Sequence, residues 1–171
     1  MIEKITFKDH AYPAFQANGF AARFCFPFAD EFCTGEGLDI GCNREQWALP
    51  SIEGKRIVYP VDPVINGITA TTFDWHPLDF IFSSHCLEHL NDWVAVLDYW
   101  HKALKRGGCV FLYLPDHSQM YWRPHHNRKH VNVFTPDIIR AYFKDQPEKW
   151  GDVYVSGIDL NNSFIAVAHK L

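Results

Sequence analysis

A tight turn follows the first regular apolar segment of the chain and is the first place where ligand chemistry is expected. Residues 37–41 (Gly-Leu-Asp-Ile-Gly) lead into Cys42 and Asn43, and Gly41 allows the backbone to turn sharply. Asn43 is among the few non-glycine residues that tolerate a positive φ. Backbone N–H groups of this turn can therefore approach a ligand closely.

Acidic side chains lie in or after three apolar segments. Asp39 lies within the first, Asp62 ends the second, and Asp74 with Trp75 ends a weaker third. A carboxylate at the position of Asp62 can accept hydrogen bonds from both hydroxyls of a ribose. Phosphates prefer unpaired N–H donors and cations. The acids therefore favour a nucleoside with a positive group over one with a pyrophosphate.

Two histidines follow later apolar segments and are candidates for acid–base chemistry. His85 comes after Ser83 and Ser84, and His117 comes after a fifth segment. Histidine titrates near neutral pH, so either could act as a general base. The alternative is that each side chain only makes a structural hydrogen bond to the backbone.

Two further histidine groups raise the question of a metal. Residues 85–89 spell H-x-x-E-H, a pattern that binds zinc when both histidines lie on one continuous helix. Here the pattern follows an apolar strand, so Glu88 and His89 are expected to cap or support the next helix. His125, His126 and His130 lie in a basic connection that is expected to be solvated. We therefore expect none of these residues to bind a metal. A zinc-dependent hydrolase that uses the histidines is kept as the weakest functional hypothesis.

The elements that position these residues alternate between strands and helices. Strands are expected at 37–41, 56–62, 78–84 and 109–114, with a possible third strand at 68–74, and a hairpin is expected from 152–158 and 163–169. Helices are expected at 91–105, capped by Asn91 and ended by Gly107 and Gly108, and from Thr135 to about Lys144. This alternation predicts an α/β fold with a doubly wound, mostly parallel sheet and a C-terminal antiparallel hairpin.

The link between the second and third strands is unusually short. Only residues 63–67 separate them, whereas a parallel crossover needs about a dozen residues. The crossover helix is therefore expected to be missing, and the third strand to be rudimentary or differently paired.

Length and composition describe an ordinary globular protein. The 171 residues predict one domain, with a lead-in or lid at 1–34, a cofactor-binding core at 36–117, and a substrate-side loop, helix and hairpin at 118–171. The net charge is −4 and the basic residues are scattered, so the sequence predicts no surface for binding nucleic acid or membranes. Five cysteines without metal-knuckle spacing, and no signal-peptide or membrane-spanning pattern, predict a reduced, cytoplasmic protein.

Three motifs in order resemble the class I S-adenosylmethionine-dependent methyltransferases, specifically the "type 11" methyltransferase-like group. They are residues 38–43 (Leu-Asp-Ile-Gly-Cys-Asn) with Asp62, residues 78–90 (Leu-Asp-Phe-Ile-Phe-Ser-Ser-His-Cys-Leu-Glu-His-Leu), and residues 103–108 followed by 110–115. The resemblance covers roughly residues 36–117. It implies a Rossmann-like fold with strand order 3-2-1-4-5-7-6 and an antiparallel strand seven.

The resemblance also implies S-adenosylmethionine as cofactor and assigns roles to the strand ends. Asp39 and Gly41, with the turn through Cys42 and Asn43, would lie near the methionine portion, and Asp62 would hold the ribose. Asp74 and Trp75 would contact the adenine, and the backbone of Ser83 and Ser84 would flank the sulfur. The expected reaction is methyl transfer to a small-molecule or saccharide-like acceptor. The second hypothesis is a degenerate member that binds a nucleoside without catalysis.

Overall fold

The computed structural model describes residues 4–7, 10–13, 21–75 and 77–171. Its strands are β1 (Lys4–Phe7), β2 (His10–Pro13), β3 (Gly35–Ile40), β4 (Arg56–Val61), β5 (Leu78–Ser84), β6 (Leu104–Pro115), β7 (Trp150–Val155) and β8 (Ser163–Lys170). Its α-helices are α1 (Phe26–Phe32), α2 (Pro63–Asn66), α3 (Trp93–Ala103) and α4 (Pro136–Lys144). None of the helices in the described ranges is long and apolar enough to cross a membrane.

Six strands form one sheet in the order β4-β3-β5-β6-β8-β7, and β1 and β2 pair separately as an antiparallel two-stranded sheet. The pairs β3–β4, β3–β5 and β5–β6 are parallel, whereas β8 is antiparallel to both β6 and β7. This arrangement confirms the predicted doubly wound sheet with its C-terminal hairpin. The chain leaves β3 for β4 on one side, and β5 lies on the other, so a crevice is expected at the carboxyl end of β3.

The expected third strand at 68–74 is wrong, because this stretch contains no strand and no sheet partner. The link holds only α2, which begins at Pro63 and ends where Gly67 takes a φ of +73°. Side chains of α3 hold residues 68–74 in place. The Trp100 indole N–H donates to Ala70 O over 2.8 Å, and the Tyr99 hydroxyl donates to Phe73 O. With too little chain for a crossover, the segment packs against a helix instead of joining the sheet.

Both faces of the sheet are covered. On one face Leu38 and Ile81 pack with the buried side of α3 and α4, including Trp100 and Phe143. On the other face a cluster of aromatic and sulfur-bearing side chains packs beneath α1; it comprises Cys25, Cys33, Phe80, Phe82, Cys109, Phe111 and Tyr113. All five cysteines are free thiols.

Helix boundaries follow the expected capping chemistry at α4 and differ at α3. Thr135 caps α4 through a hydrogen bond from Ile138 N, as predicted. The cap of α3 is Asp92, which accepts from Ala95 N over 3.0 Å, so the prediction of Asn91 is wrong by one residue. Gly107 and Gly108 do not end this helix, because β6 already begins at Leu104 and contains both glycines.

Candidate functional site

A cavity of about 750 Å³ opens at the carboxyl ends of β3, β4 and β5, where the sheet topology predicts a ligand site. Its wall combines residues from these strand ends with the segment before α1 and the loop after β6. The lining residues are Ala21, Ala22, Asp39, Gly41, Cys42, Asn43, Trp47, Asp62, Ser84, His85, Cys86, Glu88, His89, Trp122, Asn127, Lys129 and His130. Seven of the eleven predicted site residues therefore share one cavity.

The turn after β3 has the backbone conformation that the sequence predicted. Gly41 has a φ of +88° and Asn43 a φ of +63°, so both occupy the left-handed region. A side chain at position 41 would place its Cβ 2.5 Å from the Cβ and Sγ atoms of Cys86. Glycine is therefore required both for the turn and for the close approach of the segment after β5.

Asp62 joins the turn after β3 to the start of α2. Its Oδ2 accepts a hydrogen bond from Asn43 N over 2.9 Å, and its Oδ1 accepts one from Val64 N over 2.8 Å. A carboxylate has about four lone-pair sites, so each oxygen can accept one more bond from a ligand in the cavity. The residue is 7% exposed, and the backbone bonds hold its carboxylate in one orientation.

Asp39 is the second carboxylate of the cavity, and its pKa lies near neutral pH. Burial raises the pKa of Asp39 to about 7, the negative charge of Asp62 adds to this, and a 2.6 Å hydrogen bond from Leu49 N opposes it. A cationic ligand group beside Asp39 would favour its charged form. Burial, with the same two carboxylates, raises the pKa of Cys42 to about 12, so that thiol stays protonated.

The two serines at the end of β5 point in different directions. The Ser83 hydroxyl is buried and donates to Ile40 O over 3.0 Å, which ties β5 to β3 and keeps Ser83 off the cavity wall. The Ser84 hydroxyl lies in the wall and makes no hydrogen bond with any of the described residues. Such an unsatisfied buried hydroxyl is what a polar ligand group would pair with.

Besides Ser83, three predicted site residues lie away from the cavity wall. Asp74 and Trp75 sit in the irregular link, where the Trp75 ring stacks on Tyr59 at 5.9 Å. His117 is exposed after β6, and its backbone N–H donates to Phe134 O over 3.0 Å. Their proposed roles stay predictions.

His85 lines the cavity in a strained conformation. Its φ is +49°, which is uncommon for a residue with a side chain and often marks a functional site. Burial lowers the pKa of His85 to about 3, and the nearby rings of His130 and His89 add to the effect. The residues after it form a 3-10 turn, Leu87–His89, so the H-x-x-E-H pattern does not lie on a continuous helix.

Sequence reasoning missed the tryptophans of the cavity wall, and it assigned Glu88 to the next helix instead of to the cavity. Trp122 packs edge-on against His85 at 5.5 Å and stacks on His130 at 5.6 Å, and Trp47 contributes a second indole to the wall. Glu88 is 1% exposed, and burial raises its pKa to about 8. The high aromatic content was the only signal for the tryptophans, and it does not say which rings line a pocket.

Comparison with known proteins shows which family the sequence matches. A family model described as "Methyltransferase domain" matches residues 16–146, about three quarters of the chain. None of the curated proteins matches the sequence.

Solved structures share the fold at low sequence identity. A S-adenosylmethionine-dependent methyltransferase from Archaeoglobus fulgidus has a TM-score of 0.63 and 16% identity, with 91% of this chain and 94% of the other covered. The N-methyltransferase NodS from Bradyrhizobium japonicum, in complex with S-adenosyl-L-homocysteine, has a TM-score of 0.57 and 15% identity, with 91% and 87% covered.

Proposed function

The chain belongs to the methyltransferase domain family, and from that premise we propose that it transfers the methyl group of S-adenosylmethionine to a small-molecule or saccharide-like acceptor. The observation that carries the proposal is the shared cavity at the strand ends. There Asp39, Gly41, Asp62 and Ser84, which come from three different strands or the turns after them, line one wall. NodS has a similar fold and binds S-adenosyl-L-homocysteine, the demethylated product.

The cavity residues fit this cofactor chemically. Asp62 offers free lone pairs for ribose hydroxyls, and the Ser84 hydroxyl lacks a protein partner among the described residues. Gly41 and Asp39 both line the wall, and Asp39 provides a carboxylate for the cationic methionine end. The bound cofactor would supply an activated methyl group on a sulfonium, which an acceptor takes up as the carbon–sulfur bond breaks.

The protein's main contribution is to hold the acceptor in line and exclude water, since proximity alone can supply several kcal/mol. Of the two candidate bases, His85 lines the cavity and His117 does not. With a pKa of about 3, His85 is neutral at pH 7 and a weak base. It is therefore better suited to orienting an acceptor than to removing its proton.

Calorimetry with S-adenosylmethionine and S-adenosyl-L-homocysteine tests the proposal. We expect both to bind with one site per chain, and we expect a saccharide acceptor panel to increase the formation of S-adenosyl-L-homocysteine above the acceptor-free background. Binding without turnover on any acceptor would favour the degenerate member that binds a nucleoside. The absence of heat with either ligand would overturn the proposal.

The raised pKa of Asp39 predicts that the stability of the ligand-free protein depends on pH. Its folded pKa of about 7 lies above the usual value of 3.8, so the folded state binds the extra proton between these pH values. Stability from this group is present at low pH and falls as the pH rises from about 4 to 7, by roughly 2–4 kcal/mol. Urea unfolding of wild type and Asp39→Asn at pH 5 and pH 8 is expected to show a smaller loss in the variant.

Asparagine is a suitable replacement because its Oδ1 can still accept from Leu49 N. Other groups titrate in the same range, so the informative quantity is the difference between the two proteins. Equal pH slopes in wild type and Asp39→Asn would show that Asp39 is not a raised-pKa group.

A further inference from the structure

The carboxylate of Glu88 is buried without the donors that a buried carboxylate needs. The residue is 1% exposed, and neither oxygen accepts a hydrogen bond from any residue in the described part of the chain. Burying such a group without compensation costs free energy, more so when the group is charged. The wall of the cavity therefore holds an acceptor that something outside the described residues must satisfy.

Two imidazoles turn lone pairs, not N–H groups, toward this carboxylate. His89 Nδ1 lies 2.8 Å from Lys129 O, and His130 Nδ1 lies 2.7 Å from Trp122 O. A carbonyl only accepts, so each Nδ1 carries the proton and each Nε2 is left with a lone pair. These Nε2 atoms lie 3.7 Å (His89) and 3.9 Å (His130) from Glu88 Oε1.

His85 brings a third ring nitrogen close to the same carboxylate oxygen. Its Nε2 lies 3.0 Å from Ser163 Oγ, and that hydroxyl donates to Asn161 O over 3.3 Å. Nδ1 of the same ring lies 3.8 Å from Glu88 Oε1. Three ring nitrogens thus surround one carboxylate oxygen, and those of His89 and His130 carry lone pairs.

A shared proton does not account for this arrangement. A hydrogen bond between a carboxyl group and an imidazole needs an oxygen–nitrogen distance of about 2.7–3.2 Å, and all three distances are longer. An ion between these atoms would bind the carboxylate and the imidazole lone pairs at the same time.

We propose that Glu88, His89 and His130 bind a divalent transition-metal ion in the wall of the cavity. Their ligand atoms all lie within 4.8 Å of one another. Zinc bonds of about 2.0–2.2 Å place tetrahedral ligand atoms about 3.3–3.6 Å apart. The two oxygen–nitrogen gaps of 3.7 and 3.9 Å then close with shifts of a few tenths of an ångström, and a separation of up to 4.8 Å within the cluster closes with a shift of about 1 Å. Two imidazoles and one carboxylate suit zinc or iron better than magnesium or calcium, which prefer oxygen ligands.

The surrounding backbone holds these ligands in place. Val131 N and Asn132 N both donate to Glu88 O, over 2.9 and 3.1 Å, and the Asn132 amide donates to Leu90 O over 2.6 Å. The segment that carries His130 is thereby fixed to the turn that carries Glu88 and His89. The carbonyls that bond each Nδ1 act as the outer partners that orient metal-ligating histidines.

An ion held by these three residues would be open to the cavity, because all three line it together with Gly41 and Asp62. If the proposed methyl transfer is correct, the ion lies where an acceptor would enter. A metal ion lowers the pKa of a bound hydroxyl. This part of the inference rests on the proposed function and identifies the acceptor class as one with an oxygen ligand, such as a hydroxyl.

Metal titration of chelator-treated, tag-free protein tests the site. We expect one equivalent of Co²⁺ to bind with a visible absorption band and one equivalent of Zn²⁺ to displace it, with much weaker binding of Mg²⁺. Changes in outer partners alone cost about 10–100-fold in metal affinity, so we expect His130→Ala and Glu88→Gln each to cost at least about 100-fold. His125→Ala, in the same loop but outside the cluster, is the matched control and is expected to bind as wild type.

Thermal unfolding of each apo variant shows whether it is folded, and Glu88→Gln preserves the size of the side chain if His130→Ala does not fold. The inference is overturned if wild type binds no Co²⁺ or Zn²⁺, or if both ligand variants bind as tightly as wild type. Affinity for S-adenosyl-L-homocysteine, measured with chelator present, reports on the proposed function separately. Retained nucleoside binding without metal binding would overturn this inference alone.

Discussion

Asp62→Ala is expected to lower the affinity for S-adenosyl-L-homocysteine by roughly 100-fold or more. The substitution removes a carboxylate whose two oxygens are already oriented by Asn43 N and Val64 N and whose remaining lone pairs face the cavity. Two charge-assisted hydrogen bonds at about 1.5–3 kcal/mol each account for a loss of this size. Calorimetric titration of both proteins at one pH measures it.

The same substitution also removes the N-cap of α2, so a control must separate binding from local stability. Asp92→Ala removes the cap of α3, where Asp92 accepts from Ala95 N, but Asp92 does not line the cavity. It is expected to cost about 1 kcal/mol of stability and to leave ligand affinity unchanged. If folded Asp62→Ala binds S-adenosyl-L-homocysteine as well as wild type does, the assignment of Asp62 to the ribose is wrong.

Gly41→Ala is expected to destabilise the protein by about 2–5 kcal/mol. A left-handed backbone costs a residue with a side chain about 1–2 kcal/mol, and forcing a methyl group into a filled space costs about 1–3 kcal/mol more. Here the added Cβ would lie 2.5 Å from Cys86 Cβ and Sγ at a φ of +88°. The midpoint of urea unfolding, with the slope held common, gives the free-energy difference.

Gly54→Ala is the matched control, because Gly54 has a φ of +69° and open space around it. Gly54→Ala is expected to lower the free energy of unfolding by about 1–2 kcal/mol, which is the cost of the left-handed backbone alone. Adding Cys86→Gly to Gly41→Ala removes the colliding atoms and is expected to recover the difference, measured as a double-mutant cycle. Equal costs for Gly41→Ala and Gly54→Ala would contradict a close approach between the two strand-end segments.

Most of the sheet was predictable because its signals are local. The strand at 78–84 was predicted to the residue, and the cap of α4 at Thr135 follows from its hydroxyl and the proline after it. The third strand was wrong because the apolar residues of 68–74 pack on α3, and periodicity alone cannot say which partner buries an apolar residue.

The candidate site was predictable where it depends on strand ends. Parallel strands deliver their carboxyl ends to one edge, so Gly41, Asp62 and Ser84 were expected to meet, and all three line the cavity. Asp74, Trp75 and His117 lie elsewhere, because their positions depend on irregular connections whose path has no repeating pattern.

The sequence by itself determined the α/β class, the methyltransferase family and the turn in which Asn43 takes a positive φ. Each of these follows from short-range chemistry: apolar alternation, motif order, and the backbone freedom of glycine and asparagine. Only the tertiary structure decided that Glu88 and His89 meet His130, 41 residues beyond His89 in the chain. That contact is made by a loop returning over the end of β5 and bonding to Glu88 O, and the spacing of residues along a chain does not encode such a return.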